Sequence, residues 1–314
     1  KIGLVCPVTF YFPGGIQEQV KYLYKFLKSK GHEVKVILPR YKTSEYYGED
    51  FILAGRYFTV HSNMSTAGVS YAPKEELVKI LDREKFDIID FHNPGFFISM
   101  QMEELSKARN ILTFHILPDG SIIYKILENY FKKWARLYSK RLSGIRVISK
   151  LHQDYLPKGF NGLTEIIPLC VDVNRFKSDN GKLEKYSDGK INILFVGRID
   201  KRKGLQYLIK AFALIKTKVK NVRLIIVGDG HLKEKCEFLV ERLELEDVVF
   251  AGMVKEEELP KYYSTADICC FPAIVGESFG LVLLEAMASG KPLVAFANAG
   301  YNQVLNNGIG KTVL

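Results

Sequence analysis

The chain has 314 residues, 47% hydrophobic and 25% charged, which is more than one hydrophobic core usually supports and is the composition of an ordinary globular protein, not a disordered or fibrous one. No apolar run approaches the roughly 20 residues that span a bilayer, and five cysteines without CxxC or scaffold spacing exclude a disulfide framework, leaving buried thiols in a reducing cytoplasm as the reading. The net charge of +10 is uneven: residues 121–158 carry nine basic against two acidic side chains, which points to an anionic partner or to a solvated helix face.

The sequence opens on a short apolar strand, 2–6, and not on a charged-then-apolar leader. Gly14 and Gly15 read as a turn, after which Val20, Leu23, Tyr24 and Leu27 recur at helical spacing up to Gly31. Strands are expected at 34–38, 86–91, 111–114 and 144–148, and the stretch 41–73, rich in Tyr, Phe, Gly and Ser, reads as an irregular functional excursion. Over 122–142 a single helix is expected, with Ile123, Ile126, Tyr130 and Trp134 on an apolar face and Lys125, Lys132, Lys133, Arg136 and Lys140 largely opposite. Core packing with a solvated basic face and an interfacial helix on anionic lipid both fit that pattern. A polar connection, 177–190, leads to a second series, with strands at 191–196, 222–227, 248–251, 268–271 and 293–297 and helices at 204–218, 232–243, 256–266 and 279–289. Strands alternating with helices imply parallel sheets and right-handed crossovers. The expected fold class is α/β, two Rossmann-like domains over 1–165 and 166–314, with a hinge within 165–176 and the strand C-termini of both domains on a shared cleft.

Three loops carry the chemistry. Gly197-Arg198-Ile199-Asp200-Lys201-Arg202-Lys203-Gly204 follows a strand and opens a helix, so its cations and free N–H groups suit a phosphate, although solvation alone also explains such a loop. Gly276-Glu277-Ser278-Phe279-Gly280-Leu281 leads into an apolar helix in which Glu285 falls two turns after Glu277, roughly on the same face. A carboxylate among Leu281, Val282, Leu284 and Met287 needs partners, and vicinal sugar hydroxyls are good ones. The plainer alternative is a first-turn dipole partner at Glu277 and an exposed residue at Glu285. Gly14 and Gly15 allow backbone to approach a phosphate, but they do not form the GxGxxG fingerprint, which argues against a nicotinamide enzyme.

GRxxxxKG beside GESFGLVLLEAMASGKP, with PGGIQ near the start and IIPLCVDVNRF at the crossover, resembles the retaining GT-B enzymes of glycosyltransferase family 4 across nearly the whole chain. VCPVTFYFPGGIQEQV, KGHEVKVILP and ILTFH are similar to segments of the phosphatidyl-myo-inositol mannosyltransferases in that family. Glu277 and Glu285 match the family's E-x7-E motif. The resemblance implies an acceptor-side first domain and a nucleotide-sugar donor domain. Arg198 and Lys203 would neutralise the donor diphosphate in place of a metal, and Glu285 would hold the ribose hydroxyls. Glu277 would contact the transferred sugar, beside Ser278 and the N–H groups of Phe279, Gly280 and Leu281. Gly14 and Gly15 would approach the phosphate, and His115, otherwise readable as a structural histidine, would sit beside the reacting sugar. Gln17 and His115 are the acceptor-side candidates. Leu169-Cys170 stand where the family has Asn-Gly, Val8 stands where the inositol enzymes have tyrosine, and the family's closing helices would follow Leu314.

The expected activity is therefore retaining, metal-independent transfer of a sugar, mannose from GDP-mannose, to a lipid-linked or polyol acceptor. No cofactor is expected beyond the donor, and the site is placed in the cytoplasm or on the inner face of the cell membrane. A UDP-glucose or UDP-N-acetylglucosamine transferase, or a UDP-sugar epimerase, is the enzymatic rival. A basic nucleotide- or nucleic-acid-binding module is the other, and it leaves Glu277 and Glu285 unexplained, because carboxylates repel phosphodiesters.

Overall fold

The computed structural model describes residues 1–12, 14–61, 66–93, 97–115, 139–156, 160 and 162–305. The chain divides into two compact units between Leu169 and Cys170, four residues beyond the boundary expected from sequence. The shift has a simple cause: residues 163–166 form a strand that completes the first sheet, and the Ile167 N–H donates to the Val147 carbonyl.

The first unit is an eight-stranded sheet in the order β4-β3-β2-β1-β5-β6-β7-β8. Its strands are β1 (Ile2–Val5), β2 (Val34–Arg40), β3 (Phe51–His61), β4 (Thr66–Tyr71), β5 (Ile88–His92), β6 (Arg109–Phe114), β7 (Leu142–Val147) and β8 (Leu163–Ile166). The period-2 rule sorts the core onto two faces. Val5, Ile37, Ile89 and Phe91 pack with Leu77 and Ile80 of helix α2 (Lys74–Glu84) and with Ile98 and Met102 of α3 (Phe97–Leu105). Leu4, Cys6, Val36 and Leu38 pack the other face against Val20, Leu23 and Leu27 of α1 (Gly15–Ser29). Fully buried in this way, the central strands read as continuous apolar runs, which is why they were legible.

Three expectations for this unit are corrected. The stretch 41–73 is irregular over 41–50, but beyond it β3 pairs parallel with β2 and antiparallel with β4, forming the sheet edge. Phe51 and Leu53 face one core and Ile52 and Ala54 the other, so the alternation was present but hidden among turn-forming residues. Gly14 and Gly15 do not make a turn; Gly14 is the extended cap (φ −174°) of α1 and Gly15 its first residue. The helix expected over 122–142 cannot reach its stated end, because Ser139–Arg141, with Lys140, is a 3₁₀ turn and Leu142 starts β7. Lys125, Lys132, Lys133 and Arg136 lie outside the described residues.

The second unit is a five-stranded parallel sheet in the order β11-β10-β9-β12-β13, built from β9 (Ile191–Val196), β10 (Val222–Val227), β11 (Val248–Gly252), β12 (Ile268–Phe271) and β13 (Leu293–Ala295). Ile193, Phe195, Leu224 and Ile226 pack against Leu205, Leu208, Ile209 and Phe212 of the helix Leu205–Lys218. Strand order reverses between β1 and β5 in one unit and between β9 and β12 in the other, and open α/β sheets bind ligands beyond strand C-termini at such points.

Cys6, Cys236 and Cys269 are buried, and burial pushes the Cys6 and Cys269 thiols up to about 12. Cys170 is exposed, so the reading of all five as buried thiols is corrected at that position. No helix among the described residues is long and apolar enough to cross a membrane.

Candidate functional site

In the second unit the loops after β9 and β12 are locked together through backbone. Gly204 adopts φ +72° and a side chain there would meet the Pro272 carbonyl oxygen at 2.0 Å. The Ile274 N–H donates to the Arg202 carbonyl at 2.9 Å, and a side chain at Gly276 (φ +73°) would strike the Arg202 guanidinium at 2.8 Å. The loop after β10 backs the same surface: a Cβ on Gly228 would meet the Gly197 carbonyl oxygen at 2.0 Å, and Ile199 N–H donates to the Asp229 carbonyl. Gly228 and Gly230 therefore serve loop-to-loop packing, a role that the sequence did not reveal.

Asp200, buried, organises the cations. Its Oδ1 accepts from the backbone N–H of Arg202 (3.0 Å) and of Lys203 (3.1 Å), which starts the turn Lys201–Lys203. Its Oδ2 lies 3.4 Å from Arg198 Nη2 and 3.3 Å from Arg202 Nη2. Lys203 Nζ is 2.5 Å from Glu277 Oε1, so a cation and a carboxylate expected to serve different parts of a ligand are paired with one another. Three cations (Arg198, Arg202, Lys203) stand against two carboxylates (Asp200, Glu277), which leaves the cluster net positive. Arg198 is about half exposed, at 49% of its side chain.

Glu277 does not share a helix face with Glu285, as the spacing suggested. It sits in the loop before the helix Leu281–Ala288, and its carbonyl lies under Gly300, where a Cβ would approach to 2.1 Å. Glu285 is on that helix, and its Oε2 accepts a 2.6 Å hydrogen bond from the hydroxyl of fully buried Tyr263. Burial first, then the Glu285 charge, raises the Tyr263 phenol well above its ordinary range, so it stays a donor. Gly280 (φ +98°) caps the same helix, and a Cβ there would strike the Tyr301 ring at 2.6 Å; packing, as well as ligand approach, requires glycine. Ser278 and Phe279 lie in the loop and Leu281 opens the helix, with Phe279 buried.

In the first unit His115 follows β6 directly and is buried. Its Nε2 is 2.9 Å from His92 Nδ1, and the two rings lie nearly parallel, 17° apart, with centroids separated by 5.1 Å. Both backbone groups of His115 are held: its N–H donates to Asn93 Oδ1 at 2.9 Å, and its carbonyl lies 3.3 Å from His152 Nε2. His152 is in turn fixed by Ser149 Oγ, 2.8 Å from its Nδ1. Burial lowers all three histidines, His152 to about 4, and His115 further because His92, Arg146 and His152 add repulsion once charged. All three are therefore neutral near pH 7. Gln17 is nearly buried and its amide nitrogen donates to the carbonyls of Thr9 (3.2 Å) and Phe12 (3.0 Å), which commits that nitrogen to pinning the loop before α1.

Sequence reasoning missed Asp90, His92, Asn93 and His152. The available signal was polar Asp90 and His92 at alternate positions of an otherwise apolar strand, placing both on the face that β6 presents with Thr113.

The family model described as Glycosyltransferase Family 4 matches residues 13–175, and that described as Glycosyl transferases group 1 matches residues 177–314. The chain is similar to the phosphatidyl-myo-inositol mannosyltransferase of Mycolicibacterium smegmatis, 30% identical over 318 residues, covering 98% of this chain and 79% of that protein. Among solved structures it is similar in fold to sucrose-phosphate synthase from Thermosynechococcus elongatus, with TM-score 0.71 and 22% identity over 99% of this chain and 85% of the other. It is likewise similar to Anabaena HepE in complex with UDP and glucose, with TM-score 0.73 and 19% identity over 99% and 85% of the two chains.

Proposed function

The chain belongs to glycosyltransferase family 4, and on that premise we propose that it transfers mannose from GDP-mannose to a lipid-linked or polyol acceptor, with retention and without a metal. The observation that carries the reading is the net-positive cluster of Arg198, Arg202 and Lys203 with Asp200 and Glu277 at the β9/β12 switch point. Breaking a sugar–phosphate bond leaves negative charge on the diphosphate and oxocarbenium character on the sugar. Arg198 and Lys203 stabilise the first, which is the largest catalytic contribution. Donor arrival frees Lys203 from Glu277, turning the lysine to phosphate and the carboxylate to sugar hydroxyls. Glu285, steadied by Tyr263, accepts from ribose hydroxyls. Ser278 and the N–H groups of Phe279, Gly280 and Leu281 flank the sugar, Gly14 and Gly15 approach phosphate, and His115 contacts the transferred sugar. The similarity to phosphatidyl-myo-inositol mannosyltransferases supports mannose and a lipid-linked acceptor. A lipid acceptor would also make an anionic membrane surface a partner for the basic side chains within 122–142.

The test is transfer from radiolabelled GDP-mannose and UDP-glucose to phosphatidylinositol vesicles, with chelator present and absent, and with product stereochemistry read by NMR. Mannosyl product of retained configuration that resists chelator is the expected result. Glucosyl transfer alone, an inverted product or loss with chelator overturns the corresponding part of the reading.

A further inference from the structure

Buried polar groups outside the donor loops converge on one place, the ring of His115. Two neutral imidazoles joined through His92 Nδ1 and His115 Nε2 at 2.9 Å share one hydrogen, and either ring can carry it. If His92 supplies it, His92 Nε2 holds a lone pair 3.6 Å from Asp90 Oδ2, with His92 fully buried and Asp90 nearly so. If His115 supplies it, His92 carries its own hydrogen on Nε2, facing that carboxylate. At 3.6 Å this is not a hydrogen bond, and His92 Nε2 has no other partner among the described residues. The charge still decides between the arrangements, because an N–H facing a carboxylate is attractive and a lone pair facing it repulsive, with little water to screen either.

The carboxylate itself is fixed, since Thr113 Oγ1 donates to it, 2.8 and 3.0 Å from its two oxygens. Asn93 and His152 hold the His115 backbone on both sides, and turning the ring over would put a carbon in place of Nε2 and break its 2.9 Å contact with His92 Nδ1. We propose that Asp90 and His92 are positioning residues that fix His115 as the Nε2–H tautomer, so that its Nδ1 lone pair is the atom offered to a ligand. A lone pair at that position accepts from a hydroxyl. Resting on the reading of His115 as a sugar contact, the inference specifies a hexose hydroxyl that donates to His115 Nδ1. The opposite tautomer would present a donor and recognise an acceptor instead. The charged and titratable groups acting on His115 are Arg146, His92 and His152, both histidines lowered by burial, while Asp90 acts on His92.

The measurement is a long-range proton–nitrogen correlation spectrum of the full chain with nitrogen-15 histidine at pH 7.5, whose six histidines give a resolvable set. His115→Asn assigns the resonance by its disappearance. The expected result is His115 protonated on Nε2 and bare on Nδ1. His92→Phe keeps an aromatic ring without an acceptor; it should mix the tautomers and lower kcat by about 10–100-fold, the range for losing an orienting partner, with donor KM little changed. His92→Gln, whose carbonyl can accept from Nε2–H, should restore the tautomer and part of kcat. A wild-type spectrum with the proton on Nδ1 overturns the inference without requiring any variant to fold. So does an unchanged tautomer in both His92→Phe and Asp90→Asn. Full activity of His115→Ala with the expected tautomer instead removes His115 from the sugar, a failure of the underlying reading and not of the tautomer assignment.

Discussion

Tyr263→Phe isolates a single hydrogen bond that ties the core to the donor loops. Tyr263 is fully buried on the helix Leu259–Thr265, with Phe176 edge-on at 5.6 Å, so the change removes one oxygen and leaves ring packing in place. The bond lost is a 2.6 Å donation to the Glu285 carboxylate. Hydrogen bonds to charged groups contribute about 1.5–3 kcal/mol, more than neutral ones. Glu285 keeps a further interaction, so the expected destabilisation is near the lower end, about 1.5–2 kcal/mol. Urea denaturation followed by fluorescence reads this as a lower midpoint at constant slope. If Glu285 accepts from the donor's ribose, a loosened carboxylate weakens ground-state and transition-state binding alike, so donor Kd should rise by about 3–30-fold with kcat nearly unchanged. Isothermal titration with the nucleotide and steady-state kinetics separate the two effects. A variant as stable as the wild type refutes the hydrogen bond, and a fall in kcat at unaltered donor affinity refutes the ribose role.

Lys203→Ala and Arg198→Ala should each weaken donor binding by about 2–4 kcal/mol, and because Lys203 is paired with Glu277, Lys203→Ala combined with Glu277→Gln should cost less than the sum of the two, measured by a double-mutant cycle. Gly204→Ala places a Cβ 2.0 Å from the Pro272 carbonyl oxygen at φ +72°, so stability should drop by about 2–4 kcal/mol in denaturant titration; a neutral result would show that the two loops move apart freely. Acid should unfold the protein through its buried histidines. The His152 imidazole is lowered to about 4, so the unfolded chain takes up its proton first as pH falls; stability is intact above the ordinary value near 6.5 and declines towards pH 4 by about 3 kcal/mol for this residue alone. His92 and His115 shift in the same direction and steepen the decline, and thermal midpoints that stay flat from pH 7 to 4.5 would contradict it.

The sequence by itself determined the family, the two α/β units and most central strands, because these depend on local pattern. Buried parallel strands are apolar runs, and the 197–204 and 276–285 motifs are contiguous in the chain. It could not show that β3 and β4 extend the first sheet, since edge strands take their partners from distant residues and their alternation lay among turn formers. Spacing also placed Glu277 and Glu285 on one helix face, whereas the helix begins only at Leu281 and each carboxylate finds a separate partner, Lys203 and Tyr263. Glycines that looked like ligand contacts are also demanded by other backbone and rings, as Gly280 is by Tyr301. The setting of His115 was the least legible part. His92, Asn93 and His152 lie 22 to 37 residues from it and reach it only because β5 pairs with β6 and the segment after β7 folds beneath. A lone histidine at a strand end has no defined proton position; the buried Asp90 carboxylate, brought near through tertiary pairing, supplies the charge that decides it.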